Sequence, residues 1–237
     1  AVSNSDCTAV GYGALDAATS GDYNTAVGTY ALSATVDGAR NTAVGYGASN
    51  ADIADDNVAL GYAALNYCTN SDNVAVGSLA MRTGTTQDHC VAIGRSAMEG
   101  DGSTAPTGNF NIAVGSFSGT ALTTGAENIL IGTDGLGAET TGADYCIAIG
   151  YQALKLQNAD VRNLAIGGLA GDALVGGHGN VLVGHEAGTD LTSHNNTTCV
   201  GYLAGKGATS SNSTIIGASA CATGTMSGGN NTVVGYV

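Results

Sequence analysis

The sequence predicts an all-β chain folded as a parallel β-solenoid, of the β-roll or β-helix kind, with about fourteen coils and a 16–18-residue period. Three observations carry this. A short motif recurs along the whole chain, from CTAVGYGAL and NTAVGTYAL to NTVVGYV. Its central glycine falls at Gly11, Gly28, Gly45, Gly61, Gly77, Gly94, Gly115, Gly132, Gly150, Gly167, Gly184, Gly201, Gly217 and Gly235, and twelve of the thirteen intervals are 16, 17 or 18 residues. Such a unit is too short for a helix pair and too regular for a sandwich, so each repeat reads as one turn of a parallel coil. The whole of 1–237 is then one repeat domain, on the order of 65 Å long at one coil per strand spacing.

Each coil predicts one short strand just before its glycine. The residue preceding the glycine is Val, Leu or Ile in every copy: Val10, Val27, Val44, Leu60, Val76, Ile93, Val114, Ile131, Ile149, Ile166, Val183, Val200, Ile216 and Val234. A column that admits no polar side chain reads as a core ladder. Three before the glycine stand Thr8, Thr25 and Thr42, then Val58, Val74, Val91, Ile112, Ile129, Ile147 and Leu164, on the same strand face because side chains alternate. The opposite face carries Ala in nine copies, from Ala9 to Ala165, and later Leu130, Leu182, Cys199, Ile215 and Val233. A strand apolar on both faces needs two covers, the inside of the coil and, for the Ala face, a neighbouring chain. Which face lies inward depends on corner geometry that the letters do not fix.

After the glycine, the third residue is Ala in eleven of thirteen copies, a small column suited to a corner. The fourth is Leu or Met early (Leu15, Leu32, Leu65, Met81, Met98) and often Gly later (Gly171, Gly188, Gly205), while the residue two before the glycine grows to Leu182, Cys199 and Ile215. That pattern predicts volume exchanged across one interior. Four before the glycine, Asn24, Asn41, Asn57, Asn73, Asn111, Asn128, Asn163, Asn180 and Asn231 form a column whose replacements, Cys7, Cys90, Cys146, Thr197 and Ser213, are all small. It reads as a structural ladder of turn residues in a tight site.

Composition excludes several functions. The formal charge is −13, and Arg40, Arg82, Arg95, Lys155, Arg162 and Lys206 are scattered singly, so no positive stripe for nucleic acid exists. No run of 18 apolar residues is present to insert in a membrane. The six cysteines follow no metal spacing and read as small buried thiols, although Cys199 with Cys221, or Cys68 with Cys90, stand in adjacent coils.

The motif Asn-Thr-Ala-Val-Gly-Tyr-Gly-Ala-Leu with its Gly/Thr/Ser/Asp spacer resembles repeats of bacteriophage tail fibres, and more distantly the YadA-like head of trimeric autotransporter adhesins. In the adhesin family three chains pack around a threefold axis, so the resemblance implies a homotrimer in which neighbours cover the Ala face. The period of about 17, against 14 or so in the adhesin head, favours the fibre.

Candidate sites are few. Tyr12, Tyr46, Tyr62, Tyr151, Tyr202 and Tyr236 follow the glycine directly, with Tyr30 and Phe117 one residue on; such a row could stack on sugars of a cell-surface glycan or form a packing ladder. The one long interval contains an insertion at 99–108, a surface loop. His178 and His194 fall at nearly the same phase of adjacent coils, with His185 and Glu186 between them in sequence, and could ring a metal on a threefold axis, but no supporting spacing is present, and they read as surface residues. Asp52, Asp55 and Asp56 share a spacer without a paired-carboxylate motif, so spacer acids read as solvated turn residues. Sequons occur at Asn195, Asn196, Asn212 and Asn230 and matter only in a glycosylating cell.

The reading is a non-enzymatic structural and adhesive rod without cofactors, extracellular, part of a phage tail fibre or similar surface fibre that contributes to host attachment. Its partners are itself and a glycan or protein receptor. Four alternatives stand beside it: a trimeric adhesin head, a filament subunit whose uncapped coils stack head to tail, a glycan-cleaving enzyme, and an ice-binding solenoid. The Thr column needed for the last is interrupted between Val58 and Val181.

Overall fold

The computed structural model describes residues 5–84, 86–100, 107–137, 142–158, 162–223 and 226–236. Fourteen three-residue strands stand where the glycine column places them: β1 (Thr8–Val10), β2 (Thr25–Val27), β3 (Thr42–Val44), β4 (Val58–Leu60), β5 (Val74–Val76), β6 (Val91–Ile93), β7 (Ile112–Val114), β8 (Ile129–Ile131), β9 (Ile147–Ile149), β10 (Leu164–Ile166), β11 (Val181–Val183), β12 (Thr198–Val200), β13 (Thr214–Ile216) and β14 (Thr232–Val234). The protein is an all-β parallel solenoid. Its contacts group it into two compact units, Ala1–Thr123 with β1–β7 and Thr124–Val237 with β8–β14.

Within each unit every strand pairs in parallel with the next in the chain and in strict register, Val58 opposite Val74 and Ala165 opposite Leu182, for example. The glycine column follows from this stacking. Gly61 has φ +138°, a conformation L side chains rarely adopt, and a Cβ there would lie 2.5 Å from the Gly77 carbonyl oxygen. The same approach of one glycine to the next recurs from Gly11 to Gly94 and from Gly132 to Gly217, so no other residue fits there. Further left-handed residues bend each coil five before and two and four after the glycine, as at Tyr23 (φ 60°), Tyr30 (φ 58°) and Leu32 (φ 48°). A non-glycine left-handed residue costs about 1–2 kcal/mol. At Leu32, Leu65, Met81 and Met98 that cost is offset by complete burial of a large apolar side chain.

The interior is the reverse of the one the sequence suggests. The middle residue of each strand points inward: Ala26, Ala43, Ala75, Ala92, Ala113, Ala148 and Ala165 are fully buried. The expected core ladder points out. Val10 (57% exposed), Val44, Ile93, Ile131, Ile166, Ile216 and Val234 are exposed, and Val27, Leu60, Val76, Val114, Ile149, Val183 and Val200 half-buried. The correction has a steric reason. In the coils of β2, β4, β5, β6 and β9 the inward Ala shares the interior with a large side chain four after the glycine, as Ala59 does with Leu65 and Ala75 with Met81; the β8 coil differs, with Leu130 and Leu136 both buried. The outward ranks have no such neighbour and take β-branched residues that support one another along the ladder.

The exchange of volume holds. Where the fourth residue is Gly171, Gly188 or Gly205, an inward strand residue fills its space, from the next coil at Gly171 and from the same coil at the other two: a Cβ at Gly171 would lie 2.5 Å from Leu182 Cδ1, one at Gly188 2.8 Å from Leu182 Cδ2, and one at Gly205 2.4 Å from Cys199 Sγ, whereas beside Gly119 the inward residue stays Ala113.

The Asn column is the ladder the sequence predicts. Asn24, Asn41, Asn57, Asn73, Asn111, Asn128, Asn163 and Asn180 are buried, and Asn231 is half-buried. The side chains of Asn24, Asn41, Asn57, Asn73, Asn128, Asn163 and Asn180 each tie their coil to the next in two ways, while Asn231 bonds the Gly228 carbonyl of its own coil. The Asn57 backbone N–H donates to Asn41 Oδ1 at 2.9 Å, and Asn41 Nδ2 donates to the Ala54 carbonyl at 2.7 Å. The same pair of bonds recurs from Asn73 to Cys90 N–H (3.0 Å) and the Gln87 carbonyl (2.7 Å), and from Asn180 to Thr197 N–H (2.9 Å) and the His194 carbonyl (2.8 Å). Replacements keep both functions: Cys90 Sγ accepts from Asn111 N–H at 3.4 Å and donates to the Gly108 carbonyl at 3.5 Å.

Candidate functional site

Outside this scaffold lie four sets of side chains. The largest is the outward strand face, two ranks of Val, Ile, Leu and Thr per coil. Its exposure is substantial, with Ile112 at 39%, Ile93 at 39% and Ile131 at 41%. No charged residue occupies either rank.

A row of aromatic rings runs along the first unit, because the residue after each glycine leaves the strand at the corner and points to solvent. Tyr12 meets Tyr30 edge to face at 5.4 Å, Tyr30 meets Tyr46 edge to face at 6.1 Å, and Tyr46 stacks on Tyr62 at 5.7 Å. Tyr30 joins from the following position through its left-handed backbone; its ring crosses Gly13, where a Cβ would be 2.9 Å from Tyr30 Cδ1. The Tyr12 phenol, and to a lesser degree Tyr46 and Asp16, push the Tyr30 hydroxyl's pKa up, because a phenolate would face acceptors and negative charge. The second unit keeps only fragments of the row. Tyr202 stacks on His185 at 5.7 Å, while Tyr151 and Tyr236 are exposed and belong to no ring pair described in the structure.

A third column, five before the glycine, carries exposed polar and aromatic residues in left-handed conformation. Arg40 bridges Asp56 at 2.6 Å and Asp55 at 2.8 Å, which lowers the Asp56 pKa through the guanidinium hydrogen bond. His89 lies 3.6 Å from Asp72 and stacks on Phe110 at 5.0 Å; Arg95 sits over Phe117 and Arg162 over Tyr145. Just beside this column is a ladder the sequence reading missed. Carboxylates six before the glycine accept backbone N–H groups of the preceding coil: Asp22 from Ser5 at 2.7 Å, Asp55 from Ala39 at 2.9 Å, Asp88 from Ser71 at 3.0 Å and Asp144 from Ala126 at 2.7 Å. These spacer acids are structural acceptors, not merely solvated charges. The signal was available, since that column also reads Asn109, Asn195 and Ser211, all able to accept.

The fourth feature is an open cleft of about 420 Å³ in the second unit, lined by Leu169, Asp172, Ala173, Glu186, Thr189, Asp190 and Lys206. Glu186 is tied to Lys206, which holds its carboxyl below the usual range. Burial pushes the Asp172 carboxyl up. Its Oδ1 and the Thr189 hydroxyl are covered and take no hydrogen bond, so the part of Asp172 that lacks a partner is closed to a ligand.

Among the described residues no group of three or more His, Cys, Asp and Glu could hold a metal, and the histidines form no ring within the chain. No cysteine forms a disulfide among the described residues; Cys68, Cys90, Cys146 and Cys199 are buried, and burial pushes the Cys68 and Cys90 thiols up to about 11 and Cys199 to about 12. Of the sequons, Asn196, Asn212 and Asn230 are exposed in the left-handed column and Asn195 is half-buried. Within the 99–108 insertion, 101–106 lie outside the described residues. No described helix is long and apolar enough to cross a membrane. Compared with protein-family models and with curated protein sequences, the chain matches none.

Proposed function

We propose that this chain is a non-enzymatic structural and adhesive segment of an extracellular surface fibre, of the kind found in phage tail fibres, in which copies associate side by side as a homotrimer. The observation that carries it is the outward strand face. Two uncharged β-branched ranks, exposed by about two-fifths at Ile93, Ile112 and Ile131, repeat at every coil. Covering two-fifths of one Ile removes roughly 50 Å² of apolar surface, about 1 kcal/mol at 25 cal/mol per Å². Summed over seven strands and two ranks per unit, that is on the order of the association cost of a complex. A second copy is the natural cover, because its ranks have the same spacing and stay in phase from coil to coil. The apolar face needing a neighbour is thus the Val/Ile face, with the Ala face already inside the coil.

The test is the solution mass by light scattering, with Ile93→Asp and Ile166→Asp as variants. The proposal expects about three times the 23.1 kDa chain mass for the native protein and a smaller species for the variants. A native chain that is monomeric at tens of micromolar sinks it.

A further inference from the structure

We infer that the tyrosine row of the first unit is a binding surface for a neutral linear polysaccharide, one sugar unit to each coil from Tyr12 through Tyr30 and Tyr46 to Tyr62. The inference deepens the adhesive reading above and rests on it for its biological setting, but not for its test.

The four rings form one contiguous row, edge to face at the first two contacts and stacked at the third. Successive ring centroids are 5.4, 6.1 and 5.7 Å apart, and the side chains are 74%, 39%, 54% and 56% exposed in order along the row. Each ring is presented by a different coil, so the spacing is set by the backbone ladder and a matching ligand must itself be periodic at close to the coil rise. An extended chain of β-linked pyranoses meets that condition, one sugar ring per coil. A polyproline helix does not, since it returns the same face only about every 9 Å. Sugars offer aromatic rings an apolar C–H face, and Tyr adds a hydroxyl able to bond the sugar's own.

Charge selects among polysaccharides. Arg40 is the one Lys or Arg in the first four coils, and it is held by Asp55 and Asp56. Asp16 acts on Tyr30, and acidic residues fill the neighbouring spacers. An anionic glycan or a nucleic acid is repelled here, whereas a neutral sugar can donate hydroxyl protons to these carboxylates. The row also ends. After Tyr62 the equivalent positions are Ser78 and Leu79, so within residues 1–237 the row offers four subsites.

The probes are neutral oligomers of β-1,4-linked glucose and of β-1,4-linked N-acetylglucosamine, two to six units long, with oligogalacturonate as the anionic counterpart. Binding is followed by calorimetry and by tyrosine fluorescence, which is clean in a chain without tryptophan. One neutral series should bind with affinity that climbs to four units and then levels. Tyr46→Ala and Tyr62→Ala should each weaken it by roughly three- to tenfold, the scale of one aromatic contact. Tyr62→Phe should retain most of the affinity, and Tyr151→Ala, outside the row, all of it. The inference is overturned if neither neutral series binds at millimolar concentration, if Tyr46→Ala/Tyr62→Ala binds as well as the parent, if affinity keeps climbing past four units, or if the anionic oligomer is preferred. Measuring mass on the same samples separates the two readings: a monomer that binds sinks the trimer alone, and an assembled chain that does not bind sinks the row alone.

Discussion

Removing one rung of the Asn ladder tests why the column tolerates so few residues. Asn41 serves two partners in the adjoining coil, the Asn57 N–H at 2.9 Å and the Ala54 carbonyl at 2.7 Å, and its own N–H is taken by Asn24 Oδ1 at 2.8 Å. Asn41→Ala leaves the Asn57 N–H without its acceptor and the Ala54 carbonyl with only the longer bond from Asn57 Nδ2 at 3.4 Å, in a site that is 1% exposed. An orphaned buried group costs about 1–3 kcal/mol and the weakened carbonyl adds less, so the variant should lose between about 1 and 4 kcal/mol. Asn41→Cys should lose less than half as much, because Cys90 makes both bonds from the same position at 3.4 and 3.5 Å. Urea unfolding followed by far-ultraviolet circular dichroism measures this, with the midpoint read at constant slope. An Ala variant within about 0.5 kcal/mol of the parent, or a Cys variant as damaged as the Ala one, would refute the ladder as a source of stability.

Four further outcomes follow from the same geometry. Gly61→Ala, at φ +138° and 2.5 Å from the Gly77 oxygen, should prevent stable folding, whereas Gly47→Ala, at φ +59° with Asn66 Nδ2 at 3.3 Å, should cost roughly 1 kcal/mol in a thermal melt. Leu182→Ala should cost about 3–5 kcal/mol, and adding Gly188→Leu should recover part of it, because Ala148 with Leu154 already forms that pairing; denaturant midpoints of the single and double variants decide. With a disulfide reagent at pH 8, Cys7 and Cys221 should react quickly and Cys68, Cys90, Cys146 and Cys199 only on unfolding; six fast thiols contradict the burial and the raised values of about 11 to 12. Burial raises the Asp172 pKa in the folded protein above its unfolded value of 3.8, so the stability linked to its protonated form is complete below that value and lost as pH climbs through the folded one; Asp172→Asn should abolish this loss in melts between pH 4 and 7, and an unchanged pH profile would count against it.

The sequence made the coil legible because its period is enforced by backbone contact. Successive glycines lie against one another and the Asn site has no room for a larger side chain, so glycine recurs in every copy and the Asn site holds Asn or a small replacement such as Cys90, Thr197 or Ser213. The facing of the strand was not legible. Exclusion of polar residues from the Val/Ile column looks the same whether the column fills a core or awaits a neighbour, and the deciding fact, that only Ala shares the interior with Leu65 or Met81, is a distance across the coil. The left-handed corners were equally hidden, since Tyr23, Arg40 and Asp72 share a backbone conformation but no chemistry. The tyrosine row was half legible: Tyr12, Tyr46 and Tyr62 share a position, while Tyr30 enters from the next residue because a left-handed turn brings its ring over Gly13.

An electron cryo-microscopy map of the purified native protein tests the central claim, that the outward Val/Ile face is where chains meet. The account predicts threefold density in which the ranks of Val76, Ile93 and Ile166 lie against another copy, with the Tyr12–Tyr62 row facing solvent. A map in which copies meet through any other surface, leaving those ranks in water, would contradict it.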